Sequence, residues 1–265
     1  SFYEVKRMPA AYAHYRFGTQ ALELLDPALR QQISRFRQVY DMGVQGPDFF
    51  FYYNPLFHTA AGSLGHKFHM QSGKTFFSAA VRRLRLNPSE VGTVYLYGVL
   101  AHYCLDSVVH PFIHETEAAG EVSHVAMESE FERFLLTKDG KIPAHAQDLS
   151  RFTKLSRGEC VTVADLYPGA TPRAVLQGVR NMERILKLFA SRKRKVVETV
   201  VGLAGKRARE QLIPRTPALG SEERNEALLS LYDNALERYP ILAAQLTALR
   251  TGGTDLGPEF EPAFG

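Results

Sequence analysis

Imidazole and carboxylate side chains recur at helical spacing between residues 96 and 128, in sequence that is otherwise largely apolar. His102, Asp106 and His110 stand at positions i, i+4 and i+8, so a helix would stack them along one stripe, about 6 Å apart. His124 and Glu128 repeat the four-residue step. Zinc binds neutral imidazole and carboxylate, and two ligands one helical turn apart can share an ion without straining the backbone. The spacing therefore predicts a metal site.

A single histidine on an apolar helix face is more often a core residue than a metal ligand, but these histidines do not stand alone. The chain has nine histidines, of which only His145 lies after residue 125. The other eight are His14, His58, His66, His69, His102, His110, His114 and His124. Burying several unpaired rings and carboxylates would cost a few kcal/mol each, whereas a divalent ion satisfies them together. We therefore predict that several of these side chains share metal ions.

The composition indicates one globular domain. With 265 residues, 45% of them hydrophobic, the chain can bury a full core. Its two cysteines make no disulfide framework, and Cys104 is expected to pack in the core. The net charge of +4 is mild and favours an anionic substrate or surface.

No stretch of the sequence approaches the length of a membrane span, and the N-terminal residues lack the pattern of a signal peptide. We therefore expect a cytoplasmic protein, or a secreted one if a signal peptide has been removed.

The candidate ligands lie on predicted helices. His14 lies in a helix from about residue 10 to 25, and Asn87-Pro88-Ser89-Glu90 is typical of a helix start, with a cap, a proline in the first turn and a glutamate third. This helix carries His102, Asp106 and His110, and Pro111 ends or bends it. Residues 122 to 137 form the next helix.

Helical patterns dominate the rest of the chain, so we predict an all-α, multi-helix fold with the metal site between helices. The domain comprises residues 1–250, and residues 251–265, rich in glycine and proline, are predicted to form a loose tail. Residues 141 to 170 are predicted to be a long irregular connection with a short extended piece near Val161.

Asp48 follows Gly46-Pro47 and precedes five consecutive aromatic residues, Phe49 to Tyr53. An aspartate in this context is most often a turn or helix-capping residue, but a loop carboxylate beside an apolar wall is also how a metal site acquires a base. The aromatic run could line an apolar entrance for a lipid, or contact a quaternary ammonium group through cation–π interaction. Packing in the core is the alternative.

Two further motifs suggest phosphate binding, and neither supports a strong prediction. Ser72-Gly73-Lys74-Thr75 resembles a phosphate loop, but that motif needs a glycine where Phe68 stands. Basic runs at residues 192–195 and 206–209 could attract phosphates, although solvated helix faces usually have this composition. We expect no specific nucleic-acid binding.

Five ordered motifs between residues 13 and 128 give the chain a family resemblance. They are AHYRFG with His14, GPDFFFYY with Asp48, LGHKFH with His69, HYCLDSVVHP with His102, Asp106 and His110, and HVAME with His124 and Glu128. The chain resembles the bacterial zinc-dependent phospholipases C, whose all-α fold is shared more distantly with the fungal single-strand zinc nucleases. The C-terminal half carries no motif of this family.

The resemblance implies a cluster of two or three zinc ions. It assigns one ion to Asp48, His69, His102 and Asp106, and it makes Asp106 a bridge to a second ion that His14 also binds. It assigns a third ion to His110, His124 and Glu128.

Three points of the resemblance leave alternatives. The spacing after Asp106 is two residues longer in the secreted enzymes, so His114 competes with His110, which we prefer because it keeps the i+4 step. His58 and His66 are alternatives to His69. Secreted members chelate one zinc through the terminal amino group, a role that Ser1 could take.

We therefore predict a zinc-dependent phosphodiester hydrolase that cleaves a phospholipid head group, as phospholipases C do, by attack of a zinc-bound hydroxide. Asp48 is the predicted catalytic residue, because it would orient or deprotonate the water while ligating zinc. The predicted partners are a phospholipid or other phosphodiester substrate and, transiently, a membrane surface. The alternatives are a zinc-dependent nuclease or other phosphodiesterase, and a non-catalytic binding protein braced by metal.

Overall fold

The computed structural model describes residues 10–53, 60–191, 194–203 and 205–265. Apart from one isolated β-bridge, the regular elements in these ranges are helices, so the prediction of an all-α fold is confirmed. The α-helices are α1 (Ala11–Glu23), α2 (Pro27–Arg35), α3 (Arg37–Gly43), α4 (Ala60–His69), α5 (Gly73–Leu86), α6 (Glu90–Ala118), α7 (His124–Lys138), α8 (Arg157–Leu166), α9 (Pro172–Ala190), α10 (Arg194–Leu203), α11 (Lys206–Glu210) and α12 (Ser221–Arg250). The 3-10 helices are Gly46–Tyr52, Ala144–Ala146, Ser150–Phe152 and Pro258–Phe260.

Helix α6 runs through the centre of the fold and carries three of the predicted ligands. Its residues are buried on every side between Gly92 and Asp106, as expected for a helix that other helices surround. Helix α3 approaches it most closely where Gly43 faces Gly98, because a Cβ atom on either glycine would overlap backbone atoms of the other helix. This close contact places the loop after α3 beside the ligand stripe of α6.

The cap of α6 differs from the sequence prediction, and of the two alternatives for Pro111, that it ends or bends the helix, the first is wrong. Ser89 caps the helix, since its hydroxyl accepts a hydrogen bond from the amide of Gly92 at 3.0 Å, while Asn87 ends α5. Pro111 does not end α6, which continues for two further turns to Ala118. Pro111 lies on the exposed side of the helix, where one missing backbone hydrogen bond is readily tolerated.

The prediction of an irregular connection over residues 141–170 is wrong in its second half. Helix α8 occupies residues 157–166, including the stretch near Val161 that was expected to be extended. A capping box starts this helix: the Ser156 side chain accepts from the amide of Glu159, and the Glu159 carboxylate accepts from the amide of Ser156. The helix then buries Val163 and Leu166 in the core.

The prediction of a loose tail at residues 251–265 is also wrong. This C-terminal segment folds back onto α5 and α6, where Phe260 and Phe264 are almost fully buried among the aromatic rings of Phe77 and Tyr103. The amide of Gly73 at the start of α5 donates to a backbone carbonyl of the segment at 2.9 Å. Aromatic anchors therefore hold a segment whose glycine and proline content suggested disorder. The division of the chain at residue 250 stays a prediction.

None of the helices in the described part of the chain is both long and apolar enough to cross a lipid bilayer.

Candidate metal centre

The candidate metal centre lies where α6 meets α1, α4, α7 and the 3-10 helix that follows α3. Helix α6 presents His102, Asp106 and His110 on one stripe, as the four-residue spacing predicted, and all three are buried. Around this stripe the structure gathers the other predicted ligands. They are His14 from α1, Asp48 from the 3-10 helix, His69 from the end of α4, and His124 and Glu128 from α7.

Asp48, His69 and His102 form the first group, in which one ligand atom from each residue lies within 4.8 Å of the others. Nε2 of His69 lies 3.0 Å from Oδ1 of Asp48. The other ring nitrogen of His69 lies 2.7 Å from the carbonyl oxygen of Gly65, one turn earlier in α4. A histidine that binds metal usually donates its second nitrogen in this way, which fixes the ring and directs the first nitrogen at the ion.

Gly46 allows Asp48 to reach this group. Its backbone has a φ angle of +54°, a left-handed conformation that side chains disfavour, and a Cβ atom at this position would overlap the ring of His102. Only glycine lets the chain turn so close to that imidazole. The 3-10 helix then starts at the turn and directs Asp48, which is 2% exposed, toward His69.

His14, His102 and Asp106 form the second group, and Asp106 links them. Its Oδ1 lies 3.4 Å from Nε2 of His14, and its Oδ2 lies 3.0 Å from Nε2 of His102. The two imidazole rings stack with their centroids 4.4 Å apart. Each carboxylate oxygen thus faces a different histidine, an arrangement that suits a carboxylate bridging two ions.

His110, His124 and Glu128 form the third group. Oε1 of Glu128 lies 3.0 Å from Nε2 of His124 and 3.6 Å from Nε2 of His110. The same nitrogen of His110 lies 3.9 Å from Oδ1 of Asp106, so the third group adjoins the second.

A fourth group contains His114 and Glu117 of α6 together with His124. His124 therefore belongs to two groups, one with His110 and one with His114. The structure brings His110 together with Glu128, and it brings His114 together with Glu117. Our preference for His110 as the ligand stays a prediction.

Burial and opposite charge together set the protonation of the cluster. Burial lowers the pKa of His14 to about 4, more than the carboxylate of Asp106 can raise it, so this ring is neutral at pH 7. Burial also disfavours charge on His102, but Asp106 and Asp48 outweigh it and raise its pKa to about 9. The pKa of Glu128 stays well below its usual range because the nearby histidines, His124 first, outweigh the effect of burial. Without metal, protons therefore supply part of the positive charge that the carboxylates require.

The buried donor set fits divalent cations. Within the described part of the chain, five buried ligand-type atoms in residues other than His102 have no hydrogen-bond partner. They are Nδ1 of His14, Oδ2 of Asp48, Nδ1 of His110, Nδ1 of His124 and Oε2 of Glu128. Buried polar atoms are rarely left unpaired, because each loses its contacts with water. Nitrogen and oxygen ligands in linked groups suit zinc.

A cleft of about 470 Å³ opens over the cluster. Beyond the predicted ligands, its lining includes the buried Phe51 and the well-exposed Met70, and both add apolar surface to the cleft. Phe49, Phe50 and Tyr52 point into the core instead, so the core-packing alternative holds for most of the aromatic run.

Sequence reasoning missed the wall that the C-terminal segment adds to the cleft. Ala263 and Gly265 line the cavity, and the amide of Gly265 donates to the carbonyl of His69 at 3.2 Å. The ring of Phe264 lies 6.1 Å from the ring of His102. The aromatic residues in this segment could have indicated that it packs against the core.

Sequence reasoning also missed Glu132, which lies one turn beyond Glu128 on α7. Its buried carboxyl accepts hydrogen bonds from the backbone amides of Tyr12 and Ala13, and burial raises its pKa to about 8. It therefore holds the first turn of α1, directly before His14. The four-residue step from His124 to Glu128, repeated once more, could have indicated that Glu132 lies on the same face of α7.

Two alternatives raised by the sequence, chelation by Ser1 and ligation by His58, lie outside the described residues. His66 lines the cleft but belongs to none of the four groups.

Comparison with known proteins identifies one family. A sequence model of the family described as zinc dependent phospholipase C matches residues 13–169, more than half of the chain. This range contains every predicted ligand. No curated protein and no solved structure matches the chain significantly.

Proposed function

The chain belongs to the zinc-dependent phospholipase C family, and we propose that it hydrolyses the phosphodiester bond that joins a phospholipid to its head group. One observation carries this proposal: three groups of buried or half-buried histidines and carboxylates, linked through Asp106 and His102, lie at the base of a single cleft. A structural metal site is usually closed, whereas a catalytic site keeps positions open to water and substrate.

The candidate ligands would hold two or three zinc ions. Zinc bound there would lower the pKa of a water molecule toward neutrality and neutralise charge on the phosphoryl oxygens during in-line displacement. The candidate ligands would position the ions and supply negative charge to them. Asp106 would offer each of its carboxylate oxygens as a ligand beside a different histidine, and Glu128 would retain its negative charge at neutral pH because the pKa of its carboxyl is strongly lowered.

Asp48 is the residue we propose as general base. Its Oδ1 faces His69, while its buried Oδ2 has no hydrogen-bond partner among the described residues. One carboxylate oxygen could therefore ligate zinc while the other orients the attacking water and accepts its proton. No covalent nucleophile is required.

The cleft favours a lipid over a nucleic acid. Its volume suits a head group with its phosphate, and Phe51 and Met70 contribute apolar surface to the lining. Single-strand nucleases would be expected to present aromatic rings on which bases stack. Of the described rings in the Phe49–Tyr53 run, only Phe51 lines this cleft.

Hydrolysis assays on three substrates would test the proposal. The chain, with its metal content measured, would be assayed on phosphatidylcholine, bis-para-nitrophenyl phosphate and single-stranded DNA. We expect release of the phosphorylated head group from phosphatidylcholine and loss of that activity with a chelator. Cleavage of DNA without cleavage of lipid would favour the nuclease. Chelator-dependent folding without any hydrolysis would favour a metal-braced binding protein.

A substitution would test the role of Asp48. Asp48→Asn should lower kcat by about 10²- to 10⁴-fold, the usual contribution of a general base, while the fold is retained. Asp41→Asn is a matched control, because Asp41 is a buried carboxylate that pairs with Arg37 at 2.7 Å, outside the cleft. Near-wild-type activity in Asp48→Asn would remove Asp48 from the mechanism.

A further inference from the structure

Helix α10 exposes an apolar stripe. Val196, Val200 and Leu203, at positions i, i+4 and i+7, are 63%, 60% and 85% exposed. They share the outer side of the helix, because the opposite side is fixed in the protein by Val197 and Arg194. A surface helix ordinarily presents polar residues to water and apolar residues to the core, so a second, outward apolar stripe is unusual.

Arg194 determines which side of α10 faces inward. Its buried guanidinium donates to the backbone carbonyls of His145 at 2.6 Å and Phe189 at 3.1 Å. It also forms an ion pair with Glu198 at 2.9 Å. The only acidic residue of α10 is therefore neutralised on the inner side, and it places no negative charge beside the apolar stripe.

The net positive charge of the chain comes from the sequence around α10. Residues 192–209 contain seven lysine and arginine residues and one glutamate, a net charge of +6. The chain as a whole has 32 basic and 28 acidic residues, a net charge of +4. The remaining residues therefore have 25 basic and 27 acidic side chains and a net charge of −2.

This basic region borders the metal centre. Helix α11 follows α10, and its last residue, Glu210, accepts a hydrogen bond from the hydroxyl of Ser123 at 2.7 Å. Ser123 caps α7 and immediately precedes His124, one of the predicted ligands. The end of α11 therefore lies beside the third ligand group.

We propose that α10 docks the protein on an anionic lipid surface. The docking patch consists of Lys195, Val196, Val200, Leu203 and Arg209, all of which are exposed. Aliphatic side chains would insert between the head groups while the basic side chains bind anionic lipids, as interfacial helices do. Aliphatic residues offer no stacking surface for bases, so a lipid fits this patch better than a nucleic acid. Delivery of substrate to the cleft by this docking rests on the proposed function, whereas the docking itself does not depend on it.

Vesicle cosedimentation of the full chain would test this proposal. Vesicles of phosphatidylcholine alone would be compared with vesicles that also contain phosphatidylserine, and Asp48→Asn would be introduced into every protein to prevent hydrolysis. Val200→Gln/Leu203→Gln removes the apolar stripe, and Lys195→Gln/Arg209→Gln removes charge. Leu86→Gln/Ile241→Gln is the matched control, because these residues are 72% and 56% exposed on α5 and α12.

We expect the protein that carries only Asp48→Asn to bind vesicles with phosphatidylserine more strongly than vesicles of phosphatidylcholine alone. Its binding to the phosphatidylserine vesicles should weaken as the salt concentration rises. Each docking-patch variant should weaken this binding by about tenfold, a change of about 1.4 kcal/mol, while the control pair has no effect. With Asp48 restored, the variants should hydrolyse soluble bis-para-nitrophenyl phosphate at the wild-type rate, which separates docking from catalysis.

Three results would overturn the proposal. Vesicle binding that is equal in the docking-patch variants and the control pair would place the lipid contact elsewhere. Absence of binding to either kind of vesicle would exclude docking, even if soluble diester hydrolysis showed an active enzyme. Self-association or DNA binding that is lost in the docking-patch variants, without vesicle binding, would assign the patch to a second copy or to a nucleic acid.

Discussion

Removing the metals should destabilise the fold by a measurable amount. Five buried ligand-type atoms in residues other than His102 lack hydrogen-bond partners among the described residues, and an unsatisfied buried polar group costs about 1–3 kcal/mol. Together they correspond to about 5–15 kcal/mol, of which water entering the cleft would recover a part. Ions bound in the cluster would satisfy the carboxylate oxygens of Asp48 and Glu128 but not the Nδ1 atoms, so we take about 5 kcal/mol, the lower end of this range, as the loss when the ions are removed.

Thermal unfolding would measure this loss. For a domain of this size each kcal/mol shifts the midpoint by about 2–4 °C, so chelation should lower it by about 10–20 °C, and added zinc should restore it. Metal content would be measured on the same samples by mass spectrometry. His102→Ala should lose metal and much of the shift, because His102 belongs to two ligand groups. His145→Ala is the control, because His145 belongs to none of the groups and lies outside the cleft.

A small shift would refute the reasoning. If complete removal of the metal, shown by the metal analysis, moved the midpoint by less than about 3 °C, at most about 1.5 kcal/mol would depend on the ions. The unpartnered atoms would then be satisfied in the metal-free protein by water or by rearranged side chains. The cluster would not be a site that metal completes.

Gly46→Ala should destabilise the protein by about 1–3 kcal/mol and reduce its zinc content, because it strains a left-handed turn and displaces the His102 ring. The control is Gly140→Ala, also at positive φ but in open space, which should leave the zinc content unchanged. Equal zinc loss in both variants would refute the steric argument. The pKa of His102 is raised to about 9 without metal, so zinc must displace the proton of this ring. The affinity for zinc should therefore rise about tenfold per pH unit from pH 7 to 9 and then level off. Competition with a chromophoric chelator would measure the affinity, and an affinity that does not change with pH would contradict the prediction. His110→Ala should remove about one zinc ion per chain while His114→Ala retains it, and the opposite result by metal analysis would make His114 the ligand.

The part of the site that the sequence predicted best is the part governed by a single helix. The i, i+4 spacing of His102 and Asp106, and of His124 and Glu128, fixes the relative direction of the side chains once the segments are helical. His14, Asp48 and His69 were predicted from the family resemblance, since the residues alone do not show which helices pack together. The left-handed turn at Gly46 was not predicted, because it matters only where the chain meets the His102 ring.

The errors in the fold come from segments in which local composition and tertiary packing disagree. Phe260 and Phe264 find a ready-made aromatic pocket on α5 and α6, and their burial offsets the flexibility of the glycines and prolines around them. Helix α8 was predictable from Ser156-x-x-Glu159, a capping box that went unrecognised. Helices α2 and α3 are separate because Phe36 leaves helical geometry at their junction.

The folded-back C-terminal segment has a consequence for biosynthesis. A nascent polypeptide has presented all its candidate metal ligands once Glu128 has left the ribosome, yet the strip that covers one flank of the cleft comes from residues after 258. That strip must close a long loop before it contacts α5, and closing long loops is slow. Ions captured during translation would therefore remain open to water and to competing cellular chelators until Phe264 docks.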